Sequence, residues 1–133
     1  MAESQTVPTV LLVEDEPSIR TLMLRMLMGI GYPTLEARNG EEAVSIAEQH
    51  QAPIHLLLTD VVMPAMDGFE LASRIVRLHG ETKVLFLTGY SDDSTPVKDG
   101  LNMTSHAFLL KPFTQAALQA KIQEVLDVSP SIV

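Results

Sequence analysis

Four segments of this chain end in residues that could do chemistry together. Val10–Val13 is followed by Glu14, Asp15 and Glu16; three later apolar stretches end in Thr59-Asp60, Thr88-Gly89 and Lys111-Pro112. Clustered carboxylates repel one another, and folding them together is unfavourable unless a cation neutralises them. With oxygen ligands only, the natural cation is a hard divalent ion, Mg2+ or Mn2+. There is no cysteine, and none of the four histidines forms a pair at metal-ligand spacing, so a zinc-type or soft-metal site is not expected. A lysine ammonium and a threonine hydroxyl facing such a site suit a phosphoryl group, each taking one of its oxygens. A carboxylate held beside the ion can itself be the nucleophile and become an aspartyl phosphate.

For these residues to meet, the segments before them must be neighbouring strands. VLLV (10–13), IHLLL (54–58), VLFL (84–87) and AFLL (107–110) are short continuous apolar runs, as strands buried on both faces of a parallel sheet are. TLEA (34–37) is more polar and suits an edge strand. Between the first two strands, Ile19, Leu22, Met23, Met26, Leu27 and Ile30 repeat at helical spacing behind Pro17 and ahead of Gly31. Further helices are expected over Glu41–His50, Gly68–His79 and Phe113–Asp127, with a short fourth helix within residues 91–101. Strictly alternating strands and helices imply an α/β, doubly wound (βα)5 sandwich with right-handed crossovers. Its site lies beyond the carboxyl ends of the strands. In a five-stranded parallel sheet of order 2-1-3-4-5, the acids, the hydroxyl and the lysine reach one edge.

Composition agrees with this class. The chain has 133 residues, 46% of them hydrophobic, enough for one domain with a real core. Nine Lys and Arg against 17 Asp and Glu leave a net charge of −8, which excludes a generally basic nucleic-acid grip. No apolar run reaches the ~18 residues of a membrane helix. The polar start MAESQTVPT is no secretion signal, so a cytoplasmic location is expected. Residues 1–8 and 129–133 read as loose tails around a domain at 9–128. The four histidines read as structural or surface groups, the methionines mostly as core filler and Asp67 as a loop or N-cap residue rather than a ligand.

VEDEP (13–17), LLTDVVMPAMDG (57–68), LTGYSDD (87–93) and LLKPF (109–113) together resemble the receiver domain of two-component response regulators, over essentially the whole chain. The resemblance implies a flavodoxin-like fold and a phosphoacceptor switch that catalyses only its own phosphorylation and dephosphorylation and is not otherwise an enzyme. Asp60 would accept the phosphoryl group. Asp15, Asp60 and the backbone carbonyl of Val62 would bind Mg2+, with Glu14 helping through water. Thr88 and Lys111 would hold the phosphoryl group, and the Lys111–Pro112 bond would be cis. Thr88 and Phe108 would form the switch, moving the surface of the fourth helix, fifth strand and fifth helix. Val62 and Tyr90 would flank the path of hydrolytic water.

The implied partners are a histidine kinase or histidine phosphotransfer protein and a downstream protein or fused output domain. No nucleic acid or membrane is contacted by the domain itself. LTGYSDD and the KPF ending lean toward the receivers of hybrid histidine kinases. The alternative function is a pseudo-receiver, a protein-binding module independent of phosphorylation. Two departures from the common pattern stand out. Glu14-Asp15 replaces the frequent Asp-Asp, and Phe108 replaces a frequent Tyr, so it has no hydroxyl to donate.

Overall fold

The computed structural model describes residues 7–89 and 107–127. The expected fourth helix, Tyr90, His106 and most of both tails lie outside the described residues. Five strands, β1 (Val10–Val13), β2 (Thr34–Ala37), β3 (Leu56–Asp60), β4 (Lys83–Gly89) and β5 (Ala107–Lys111), form one sheet of order β2-β1-β3-β4-β5. Every pairing is parallel. Among the described residues four helices accompany them: α1 (Pro17–Ile30), α2 (Gly40–Gln49), α3 (Gly68–Leu78) and α4 (Gln115–Asp127), the last being the helix expected after the fifth strand. Among the described residues no helix is long and apolar enough to cross a membrane.

The apolar runs are uniform in composition but alternate in space, because successive strand side chains point to opposite faces. Val10 and Leu12 join Met23 and Leu27 of α1 and Leu118 and Ile122 of α4 in one core. Leu11 and Val13 join Ala43 and Ala47 of α2 and Leu71 and Ile75 of α3 in the other. The two cores clamp the sheet and leave its carboxyl edge as the place where polar residues can gather.

Helix ends follow their capping chemistry. Asn39 accepts from Glu42 N (2.8 Å), and Asp67 accepts from Glu70 N (2.9 Å), which makes Asp67 the N-cap of α3. Gly31, at φ 110°, closes α1 in the left-handed conformation that glycine adopts without strain. Thr114 accepts from Ala117 N through its hydroxyl (3.0 Å), so α4 starts at Gln115, two residues later than the expected Phe113.

Strand β3 is shifted by two residues from the expected 54–58. Ile54 is buried, but its carbonyl accepts from the Thr82 hydroxyl at 2.6 Å, outside the sheet ladder. The strand instead runs on through Thr59 and Asp60, because Val61 N still reaches Leu87 O at 3.1 Å.

The turn after β3 carries a strained residue. Ala65 has φ 69°, in the left-handed region where its Cβ crowds the following carbonyl. Ala65→Gly is expected to raise stability by about 0.5–1 kcal/mol, the relieved strain exceeding the entropy of the freer unfolded chain. Urea midpoints of the two proteins check this.

Candidate phosphoacceptor and metal site

Each strand end delivers one part of the site. Asp60 is the last residue of β3 and is 6% exposed. Glu14 follows β1 and is 1% exposed, while Asp15 beside it is exposed. One carboxylate oxygen from each of Glu14, Asp15 and Asp60 lies within 4.8 Å of the others. Lys111, the last residue of β5, places its Nζ 2.8 Å from Asp60 Oδ1 and 3.9 Å from Glu14 Oε1. The Asp60 contact is an ion pair rather than an aligned hydrogen bond.

The electrostatics show the cost of this gathering. Burial, then the charge of Asp60 and a side-chain contact with it, push the Glu14 carboxyl up to about 7. Burial works against the charge of Lys111, but Asp60, Glu14 and Asp15 together hold its ammonium above the usual lysine range. Glu14 Oε2 accepts from Glu16 N at 3.1 Å, whereas Glu14 Oε1 is buried with no hydrogen-bond partner among the described residues.

An all-oxygen donor set with an unsatisfied buried carboxylate oxygen fits a hard divalent cation such as Mg2+. Receiver domains bind Mg2+ through acidic residues, and Glu14, Asp15 and Asp60 form such a cluster here. The cluster contains no sulfur or imidazole that would select a softer ion.

Thr88, Val62, Pro112 and Phe108, also singled out from the sequence, lie on β4, on β5 or in the turns that follow β3 and β5. Thr88 lies near the end of β4 and pairs in register with Leu110, the residue before Lys111. Its hydroxyl makes a long contact to Gly89 O at 3.5 Å. Val62 is 55% exposed, at the turn that follows Asp60. The Lys111–Pro112 peptide bond is cis. Phe108 is half-buried in an aromatic group, stacked on Phe86 at 5.5 Å and edge-on to Phe69 at 6.4 Å. Tyr90 lies outside the described residues.

Two contributors were not singled out from the sequence. Gly68 brings α3 so close to the end of β3 that a Cβ there would sit 2.2 Å from Asp60 O. Its place at the end of the quoted motif was the available signal. Arg20, one turn into α1, donates from Nη1 to the carbonyl oxygen of Glu14 at 2.9 Å. No local pattern marks that contact, since it forms only when α1 packs back against the end of β1.

Comparison with known proteins agrees with the geometry. The response regulator receiver domain family matches residues 10–123. The chain is 37% identical over 122 residues to the sensor kinase CckA of Brucella abortus (strain 2308), covering 90% of this chain and 12% of the kinase. It is 34% identical to the response regulator receiver protein CpdR of the same organism, covering 88% of this chain and 95% of CpdR. Several transcriptional regulators match over about half of their length, for example 47% of one from Porphyridium aerugineum. Among solved structures, the receiver domain of the hybrid histidine kinase CckA superposes with a TM-score of 0.73 at 34% identity, covering 89% of this chain and 98% of that one. The chemotaxis protein CheY4 of Vibrio cholerae gives 0.76 at 30% identity, covering 91% and 100%. By sequence, by strand order and by the match across residues 10–123, this chain belongs to the response regulator receiver domain family.

Proposed function

We propose that this receiver domain takes a phosphoryl group onto Asp60 from a phosphohistidine of a histidine kinase or histidine phosphotransfer protein, with Mg2+ required. The observation that carries the reading is the Lys111–Asp60 contact of 2.8 Å inside a cluster whose three carboxylates lie within 4.8 Å. Glu14, Asp15, Asp60 and the Val62 carbonyl would hold the ion. Bound there, Mg2+ supplies positive charge that offsets the acids and the phosphoryl oxygens.

The chain's own residues do the rest. A carboxylate oxygen of Asp60 attacks phosphorus. The P–N bond to the donor imidazole breaks with its electron pair leaving on nitrogen, and an acyl phosphate forms on Asp60. Lys111, already beside that carboxylate, pairs with a phosphoryl oxygen, and Thr88 donates its hydroxyl to another. Phe108 and Thr88 then pass the change to the surface around β5, where a downstream protein or a fused output domain reads it. The roughly 90% of the kinase relative that lies outside the match is consistent with a fused setting, and the 95% match to CpdR with a separate one. A cytoplasmic site of action follows from the same reading.

The test is intact mass after incubation with acetyl phosphate. A gain of one phosphoryl group is expected with Mg2+ and none with EDTA in place of the metal. Equal labelling in both would overturn the metal requirement, and no labelling in either would overturn the reading.

Val62 sets the lifetime of the phosphorylated state in this reading. It stands exposed two residues after Asp60, and its apolar side chain cannot orient an attacking water. Val62→Asn is expected to hydrolyse its aspartyl phosphate several-fold faster than the wild type, followed as loss of the mass shift after the donor is removed. A slower variant refutes the role.

A further inference from the structure

The placement of Arg20 is electrostatically odd. A fixed positive charge sits next to a cluster of acids read here as a cation site. On charge alone it should weaken binding of Mg2+.

Geometry supplies a reason for it. The β1–β2 ladder reaches its last register pair at Val13 and Ala37, and Glu14 N still donates to Ala37 O at 3.2 Å. The chain then turns toward α1, carrying both first-strand acids through the turn. Within it, Glu16 N holds Glu14 Oε2 at 3.1 Å, and Arg20 Nη1 holds the main-chain oxygen of Glu14 at 2.9 Å. The same guanidinium is anchored on its other edge, with Nε 3.5 Å from Glu36 Oε1 on β2. Arg20 is itself held by its helix, Arg20 N donating to Glu16 O at 2.9 Å, and its side chain is 16% exposed. One rigid planar group therefore ties α1, the end of β1 and β2 together at the residue whose carboxylate is buried in the site. A guanidinium can span a carbonyl and a carboxylate at once because its donors are fixed in a fork. An ammonium, a compact point charge on a flexible stem, cannot reproduce the span.

We propose that Arg20 is a positioning residue for the acidic pair: by clamping the main-chain oxygen of Glu14 it sets the β1–α1 turn so that Glu14 and Asp15 face the cation site. The inference rests on the Mg2+-dependent reading above. It assigns Arg20 no contact with the phosphoryl group or the ion.

The experiment is calorimetric titration of Mg2+ into the wild-type chain, Arg20→Met and Arg20→Lys, with metal-free melting temperatures measured in parallel. Positioning predicts that Arg20→Met binds Mg2+ about tenfold more weakly, the low end of what outer-shell partners of metal sites contribute. Arg20→Lys, which keeps the charge but loses the span, is expected to weaken binding in the same direction. A pure field effect predicts the opposite for Arg20→Met, namely tighter binding, and no change for Arg20→Lys. A merely structural role lowers the melting temperature and leaves the affinity of the folded protein unchanged. Wild-type or tighter affinity in the variants overturns the proposal while leaving the phosphoacceptor reading standing. If Arg20→Met does not fold, Arg20→Lys decides by the same criterion. Failure of the wild-type chain to bind Mg2+ overturns both.

Discussion

Asn at position 60 is expected to bring phosphorylation by acetyl phosphate and Mg2+ below detection while leaving the fold intact. The amide has nearly the shape of the carboxylate but no anionic oxygen to attack phosphorus, so the acyl phosphate cannot form. Glu14 and Asp15 are close, within the same 4.8 Å cluster, but Lys111 sits 2.8 Å from Asp60 and 3.9 Å from Glu14. The Lys111 ammonium is thus set against Asp60.

Stability should change little. The Lys111 side chain is 28% exposed and keeps both water and Glu14 when its partner is lost. The Asp60 side chain is only 8% exposed, so losing the pair costs more than losing a surface pair would, but relief of the repulsion between Glu14 and position 60 works against that cost. Intact mass and a metal-free melting curve check the two halves of the prediction. A normal mass shift in Asp60→Asn would place the acceptor elsewhere.

The second large effect is expected from Gly68→Ala, one methyl group placed where the backbone leaves no space. Its Cβ would lie 2.2 Å from the Asp60 carbonyl oxygen and 3.1 Å from Val61 Cα, all main-chain atoms that no rotamer change can move aside. Gly68 N also donates to Val61 O at 2.8 Å, so the start of α3 cannot retreat without breaking that bond. The expected loss is about 3 kcal/mol, the upper part of the usual range for overpacking, and a fall in melting temperature on the order of 10 °C. The strained neighbour is Asp60, the proposed acceptor, so the surviving folded protein is also expected to label more slowly. Gly80→Ala is the control. Its Cβ would meet nothing nearer than Val76 O at 3.9 Å, so it should stay within about 1 kcal/mol of the wild type.

The architecture was legible because its signals are local. Four- and five-residue apolar runs alternating with 3.6-period faces admit few arrangements other than a parallel sheet covered on both sides. The structure has that sheet, in the order β2-β1-β3-β4-β5. The misplaced boundaries also had physical causes. Ile54 is as apolar as its neighbours, so composition includes it in β3, yet its carbonyl bonds to a threonine hydroxyl from 28 residues away. Phe113 packs against the core and so looks helical, but Thr114 is the residue with an oxygen that can cap α4.

The candidate site divides the same way. Glu14, Asp15, Asp60, Thr88 and Lys111 could be named from the strands they terminate, because a parallel sheet carries all its strand ends to one edge. The aromatic group around Phe108 could not, since Phe69 and Phe86 come from an intervening helix and strand and meet it only when both pack on one face.

The order of residues along the chain, by itself, determined the class of fold, the edge at which chemistry could occur and the residue types available there. What only the tertiary structure decided is how those groups lie against one another. It put the buried Glu14 carboxylate beside Asp60, where burial and a like charge raise it to about 7. It brought Lys111 closer to Asp60 (2.8 Å) than to Glu14 (3.9 Å), and it turned Arg20 back onto the main chain of Glu14. The physical reason is range. Periodicity and capping act over one helical turn or one strand, whereas desolvation, charge coupling and close backbone approach depend on distances between segments tens of residues apart.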